Sequence, residues 1–224
     1  MKRIVFLTGA GMSEESGIST FRDSGGLWEK YDVMEVASIE GWRKNSDLMI
    51  KFYNERRAQL DKVVPNDGHK LIAQLESHFQ VTVITQNVDN LHERAGSLDV
   101  IHLHGELTKV CNESKSEVYD IGTRAIEIGE KADDGSKLRP FIVWFGEAVP
   151  LIEKAANIVS NADIIVIIGT SMQVYPAAGL IHYAKQNVQI FLIDPSDVDI
   201  PFASVNVIKE KASVGMRILT EKLL

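Results

Sequence analysis

"RIVFLTGAGMSEESG", residues 3–17, carries an apolar run directly into a glycine turn and then into a polar segment. An apolar run without polar alternation is what a strand covered on both faces looks like. Similar Val- and Ile-rich runs recur as "VTVIT" (81–85), "DIIVIIG" (163–169), "QIFLID" (189–194) and "VNVIK" (205–209), separated by longer stretches of helical spacing. Strands alternating with helices predict a parallel sheet with crossover helices, so the expected fold is α/β and doubly wound. Two inserts break this alternation. Residues 30–65 read as helical, with Leu48, Phe52 and Leu60 near one face. Residues 105–139 are polar, with weak strand signals in "SEVYDIG" and "RAIEIG". Together the inserts predict a smaller second lobe on a core of about 1–29, 66–104 and 140–224, all within one domain.

The bulk numbers narrow the function. A chain of 224 residues, 45% of them hydrophobic, buries a full core. A net charge of −7 argues against nucleic-acid binding through a broad basic face and is compatible with a cationic protein substrate. The apolar runs are far shorter than the roughly 20 residues that span a bilayer, and "MKRIVFLTGAG" lacks the features of a cleaved leader. The expected setting is the cytoplasm, with no membrane partner. One cysteine, Cys111, excludes an internal disulfide framework and a four-cysteine metal site.

The segments after the strands are the informative part: "GAGMSEESG", "QNVDN", "TSMQVYP" and "PSD". Ligands of open parallel sheets bind beyond the carboxyl ends of the strands, so these segments should line one site. Their glycines, amides and hydroxyls suit a ligand bearing phosphates and ribose. "TGAG" lets the backbone approach a pyrophosphate, with a helix N-terminus behind it, although an ordinary strand-to-helix turn has the same composition. Glu14 stands where a dinucleotide fingerprint needs its third glycine, which disfavours a dehydrogenase. The loop continues through "SGISTFRDSGGLW", long enough for a mobile cover.

"GAGMSEESGISTFR", "TQNVDNLHERAG", "HLHGEL", "VWFGE" and "GTSMQVYPAAG", in this order, resemble the sirtuins, NAD-dependent protein lysine deacylases with a Rossmann-like core. The resemblance spans residues 4–213 and is specific because the motifs occur together. It implies that Gly9, Ala10, Gly11 and Ser13 hold the pyrophosphate region of NAD, and that Phe21, Arg22 and Trp28 belong to the cover. It assigns Gln86, Asn87 and Asp89 to the nicotinamide ribose and carboxamide, Gly169, Thr170 and Ser171 to a second nucleotide turn, and Ala212 to the adenine. Phe145 and Gly146 fall on the substrate side, and His104 is the catalytic base. The implied chemistry breaks the bond between nicotinamide and ribose, lets the acyl-lysine oxygen attack the sugar, and ends with the acyl group on ADP-ribose. A histidine titrating near neutrality suits the proton transfer from a ribose hydroxyl. NAD hydrolysis, ADP-ribosyl transfer and NAD binding without turnover stay open as alternatives.

Other readings of the same residues exist. His102 and His104, two apart on a strand, would face one way and pair on a metal, but no third ligand is apparent. Asp89 could cap the helix after it. Tyr53 and Arg56 are three apart on a helix, and within the sirtuins such a Tyr-x-x-Arg pair resembles the class that removes succinyl and malonyl groups. The plainer alternative is a solvated face shared with Glu55 and Arg57. Family members usually carry a four-cysteine zinc ribbon after the catalytic histidine. Here Cys111 stands alone and Ser114 replaces a partner, so no zinc is expected. Leu192 occupies the apparent place of an Asn that holds the adenosine ribose, so either Asp194 at the strand end takes over that contact or the contact is lost. A monomer acting on acyl-lysine proteins is expected.

Overall fold

The structure is a computed structural model and describes residues 1–19, 31–202 and 204–224. The large sheet contains β1 (Arg3–Thr8), β2 (Gln80–Thr85), β3 (Val100–His102), β7 (Ile164–Ile168), β8 (Gln189–Ile193) and β9 (Asn206–Ile208). Its order is β3-β2-β1-β7-β8-β9, with every pairing parallel. The unbroken apolar runs are explained by where alternate residues go. Ile4, Phe6, Val81, Val83, Ile164, Val166 and Phe191 pack on one face, under Ile72, Met216 and Leu219. Those last three come from α5 (Asp67–Gln74) and α8 (Ala212–Leu223). Val5, Leu7, Ile165, Ile167, Ile190 and Leu192 pack on the other face, against α7 (Ile152–Asn161) and the 3-10 segment Ala177–Tyr183.

A second, three-stranded antiparallel sheet has the order β5-β4-β6, from β4 (Gly105–Cys111), β5 (Val118–Asp120) and β6 (Arg139–Ile142). Beside it lie α2 (Val33–Val36), α3 (Ile39–Lys44) and α4 (Ser46–Gln59), which share with it a third core around Trp42, Phe52, Tyr53 and Trp144. Ser38 and Asn45 cap α3 and α4 by accepting from Gly41 N and Leu48 N. Strand β6 pairs with β4 within this small sheet.

Three local readings are corrected. "RAIEIG" forms no strand; instead the Ile126 peptide is gripped by Asn54 of α4, whose amide donates to Ile126 O at 2.8 Å and accepts from Ile126 N at 2.9 Å. His102 and His104 do not share a strand. β3 ends at His102 and the chain turns at Leu103–His104 before Gly105, whose φ of +83° and tight packing on Phe141 admit no side chain. Arg57 is not on a solvated face: it is fully buried, with Nε donating to Leu107 O at 2.6 Å and Nη1 to Asn54 Oδ1 at 2.8 Å. No helix among the described residues is long and apolar enough to cross a membrane.

Candidate active site

The strand order reverses between β1 and β7, and a cleft of about 620 Å³ opens there, beyond the strand ends. Its floor is two glycine turns pressed together. Gly9 N donates to Ile168 O at 3.1 Å and Gly11 N to Gly169 O at 2.9 Å. A Cβ on Gly11 would lie 2.7 Å from Gly169 Cα, and Gly169 has a φ of +58°. The following helix, α1 (Gly11–Glu14), is a single turn, and its Met12 and Ser13 amides already bond to Gly9 O and Ala10 O. Close backbone approach, rather than a row of open amides, is therefore what this turn offers a ligand.

The turn after β2 supplies the polar wall. Gln86 Nε2 donates to Thr170 Oγ1 at 3.0 Å, tying it to the turn after β7. Asn87 Nδ2 donates to Gly9 O at 3.0 Å and to Ser13 Oγ at 3.2 Å, and the Ser13 hydroxyl donates to Asp89 Oδ2 at 3.0 Å. Asp89 Oδ1 accepts from Leu91 N at 3.1 Å, so Asp89 both serves the first turn of α6 (Leu91–Ala95) and faces the cleft. Burial pushes the Asp89 carboxyl above its ordinary range, opposed by the Leu91 and Ser13 bonds and by the charges of His102 and Arg56.

His104 meets the cleft from the turn after β3. Its Nδ1 lies 3.1 Å from Gln86 O. A carbonyl only accepts, so Nδ1 carries the proton and Nε2 keeps its lone pair. Burial lowers the His104 pKa despite that bond, so the ring is neutral at pH 7 and fit to act as a base.

Tyr53 and Arg56 enter from α4, and Phe145 and Gly146 from the segment after β6, where Phe145 N donates to Ala37 O at 2.8 Å. Burial raises the Tyr53 hydroxyl to about 12, and it accepts from Trp144 Nε1 at 2.9 Å. Burial lowers the Arg56 pKa, opposed by Tyr53 and Asp89. Ala10, Ser171, Asp194 and Ala212 complete the walls, so the candidate residues that are described line one cleft. Phe21, Arg22 and Trp28 lie outside the described residues, as does much of the expected cover. Leu192 is corrected: it is 2% exposed, packed in the sheet core, and does not line the cleft.

The sequence reading missed Trp144 and Glu147, both lining this cleft. Glu147 accepts from Arg139 at 3.0 Å through each oxygen, from Lys115 Nζ at 2.9 Å and from Trp144 N at 2.9 Å. Arg139 in turn lies 3.7 Å over the Trp144 ring. "VWFGE" held both residues, but only the fold brings them to Lys115, Arg139 and Tyr53. Near Cys111 the turns are joined by Asn112 Nδ2, which donates to Ser116 Oγ and Asp134 Oδ2 at 2.9 Å each. Among the described residues no three His, Cys, Asp or Glu side chains group closely enough to hold a metal ion.

A parallel sheet with this cleft, one neutral histidine and an amide–hydroxyl–carboxylate wall define a nucleotide-using enzyme of the doubly wound α/β class. The Sir2 family model matches residues 9–176, and the chain belongs to that family. A Bacteroides thetaiotaomicron protein named NAD-dependent protein deacylase is 56% identical, covering 100% of this chain and 99% of its own. A solved Sir2 homologue–NAD complex is 39% identical with a TM-score of 0.89, over 100% of this chain and 91% of its own. A Sir2 solved with a deacetylated p53 peptide and 3′-O-acetyl ADP-ribose is 29% identical with a TM-score of 0.84, over 98% and 92% of the two chains.

Proposed function

We propose that this Sir2-family enzyme is an NAD-dependent protein-lysine deacylase whose acyl pocket favours groups ending in a carboxylate, such as succinyl and malonyl. Its activity class follows from family membership at this identity across the whole chain. The finer reading is carried by one observation: Tyr53 and Arg56 line the same cleft as His104, Asn87 and Asp89. The closely packed Gly11 and Gly169 turns fit a pyrophosphate, and the Asn87–Ser13–Asp89 network fits a ribose and a carboxamide.

NAD supplies a leaving group, nicotinamide, and the ADP-ribose that receives the acyl group. Asn87 and Asp89 orient the nicotinamide ribose and its carboxamide, and Ser13 holds both side chains in place. His104, fixed through Nδ1 by Gln86 O, takes the proton of a ribose hydroxyl at Nε2. Ile142, Val143 and Trp144 keep the surrounding wall apolar, which limits capture of the sugar by water. Arg56 presents a cation to the distal carboxylate of the acyl chain and Tyr53 adds a hydroxyl. The chain's composition supports a cytoplasmic setting for this activity.

The test compares acetyl-, malonyl- and succinyl-lysine peptides with the native chain and Arg56→Met. A charge-assisted hydrogen bond contributes about 1.5–3 kcal/mol, so succinyl kcat/KM should fall roughly 10- to 150-fold while acetyl activity changes little. Undiminished succinyl activity sinks the acyl preference. Product identity tests the activity itself: 2′-O-acyl-ADP-ribose forms only when an acyl-lysine is the acceptor, and free ADP-ribose alone would mean hydrolysis.

A further inference from the structure

Three successive carbonyls of the turn after β2 are each held by the stretch from His102, the end of β3, to Leu107 in β4. Gln86 O accepts from His104 Nδ1, Asn87 O lies 2.9 Å from His102 Nδ1, and Val88 O accepts from Leu107 N at 2.8 Å. His102 differs from the other two donors because its second ring nitrogen, Nε2, lies 2.7 Å from Glu93 Oε1 of α6. The ring is almost fully buried, at 5% side-chain exposure, whereas Glu93 keeps 40%.

Both partners of His102 are acceptors. A carbonyl oxygen never donates, and a carboxylate donates only when protonated. A neutral ring protonated at Nδ1 would set the lone pair of Nε2 against that of Glu93 at hydrogen-bond distance. We propose that His102 is held as an imidazolium, paired with ionised Glu93, and that this cation is a positioning residue: it pins the Asn87 carbonyl and so aims the Asn87 and Asp89 side chains into the cleft.

The surroundings agree with a cation at this place. Burial by itself opposes the charge, but the Glu93 bond and charge, the Asn87 carbonyl and the nearby Glu106 of β4 together raise the His102 pKa. Burial likewise opposes ionised Glu93, and His102 with Lys109 of β4 outweighs it, lowering the carboxyl. Lys109 is itself paired with Glu106 at 2.7 Å. Burial lowers the pKa of His92, on the same helix as Glu93, well below the ordinary value, and the nearness of His69 and His102 adds to this, so His92 is neutral. Asp89, on the turn, feels His102 as a favourable charge. The two histidines of "HLHGEL" therefore divide the work: His104 is neutral and holds a free lone pair, and His102 is charged and structural to the turn.

A group whose pKa is raised by folding gives its full contribution below the ordinary imidazole range and loses it as pH rises through the raised value. The grip of His102 on the turn should therefore weaken on the alkaline side. Glu93→Gln keeps a hydrogen-bonding side chain, because the amide can donate to a neutral Nε2, but it removes the charge that holds the second proton.

The proposal rests on Asn87 and Asp89 serving the NAD-cleaving end, and its experiment separates the two. Ring nitrogens of the 15N-labelled full chain are followed by NMR across and above the ordinary imidazole range, with His102→Gln used to assign the signal. His102 should show two protonated nitrogens where His104 shows one. NAD affinity by calorimetry, which needs no acyl acceptor, should weaken at high pH. In Glu93→Gln that weakening should move down by about one pH unit, making binding roughly tenfold weaker between the two midpoints. A neutral His102 ring near pH 7 overturns the proposal, as does a Glu93→Gln profile superimposable on the native one. If Glu93→Gln fails to fold, the native ring spectrum still decides. Failure of the deacylase reading would appear separately, as the absence of acyl-ADP-ribose.

Discussion

Glu147→Gln should be among the most damaging single changes outside the cleft floor, and the reason lies in what its charge balances. Arg139 is 3% exposed at its side chain and Glu147 13%, so the pair is well removed from water. Glu147 receives four hydrogen bonds, two from Arg139, one from Lys115 and one from Trp144 N. Glutamine keeps one acceptor oxygen and turns an NH2 group toward donors, which leaves the buried Arg139 cation without its counter-charge. Breaking a buried pair in this way costs about 3–5 kcal/mol, against about 0–1 kcal/mol for an exposed one. The Trp144 ring, 3.7 Å from the Arg139 guanidinium, recovers only part of this, on the order of 1 kcal/mol. A net loss of about 2–4 kcal/mol is a large share of the roughly 5–15 kcal/mol that stabilises a typical domain. The measurement is urea unfolding at pH 7 with linear extrapolation, and the exposed pair Glu40–Arg43 supplies a control in Glu40→Gln. The Glu147 carboxyl is held below its ordinary value: burial opposes ionisation, but the bonds from Arg139, Trp144 and Lys115 outweigh it. Its contribution is therefore present above the ordinary carboxylate pKa and lost as pH falls through the lowered one. Native and variant stabilities should accordingly converge in acid. A loss under about 1 kcal/mol at pH 7, or a difference that persists unchanged in acid, would refute the reasoning.

Deacylation kcat/KM should fall with acid along a limb whose midpoint lies below that of a free imidazole, because burial lowers the His104 pKa; a midpoint above it would remove His104 as the base. His104→Ala should abolish acyl transfer while NAD still binds, and full activity in that variant would have the same meaning. Fully buried His69, with its pKa lowered to about 4, binds a proton more readily when unfolded, so it withdraws up to roughly 3 kcal/mol of stability as pH falls from about 6.5 to 4. His69→Phe should flatten acid unfolding monitored by circular dichroism, and an unchanged slope would show that His69 is not its source. Prolonged chelation should leave Tm and activity unchanged, since Cys111 is a lone thiol and Asn112 already links Ser116 with Asp134. A drop in Tm restored by zinc would contradict this.

The sheet was legible because its signal is local. Ile4 and Val5 enter opposite cores, so one short run such as "RIVFLT" states both that it is a strand and that both its faces are covered. The cleft followed from the same logic, since strand ends are read from where each run meets glycine or amide. Local rules stop at a break in the pattern. Motif position alone puts Leu192 at the ribose, yet alternation along β8 turns it to the face opposite Ile193, which lines the cleft. Period-two spacing puts His102 and His104 on one strand, and it has no way to register that Gly105, at φ +83°, sits against Phe141 after a turn at Leu103–His104.

Arg57 shows the limit most clearly. In "NERRAQL" nothing distinguishes it from Arg56, and charge patterning alone gives both a solvated face. What buries Arg57 is a carbonyl 50 residues away, Leu107 O, and what steadies it is Asn54, whose amide also grips the Ile126 peptide 72 residues away. α4 thus reaches into the polar insert through two side chains of one run, while Tyr53 and Arg56 of the same run face the cleft. The polar insert is thus tied to the helix that carries Tyr53 and Arg56, the pair proposed to form the acyl pocket. The tie exists only between distant residues and leaves no mark in either segment read by itself.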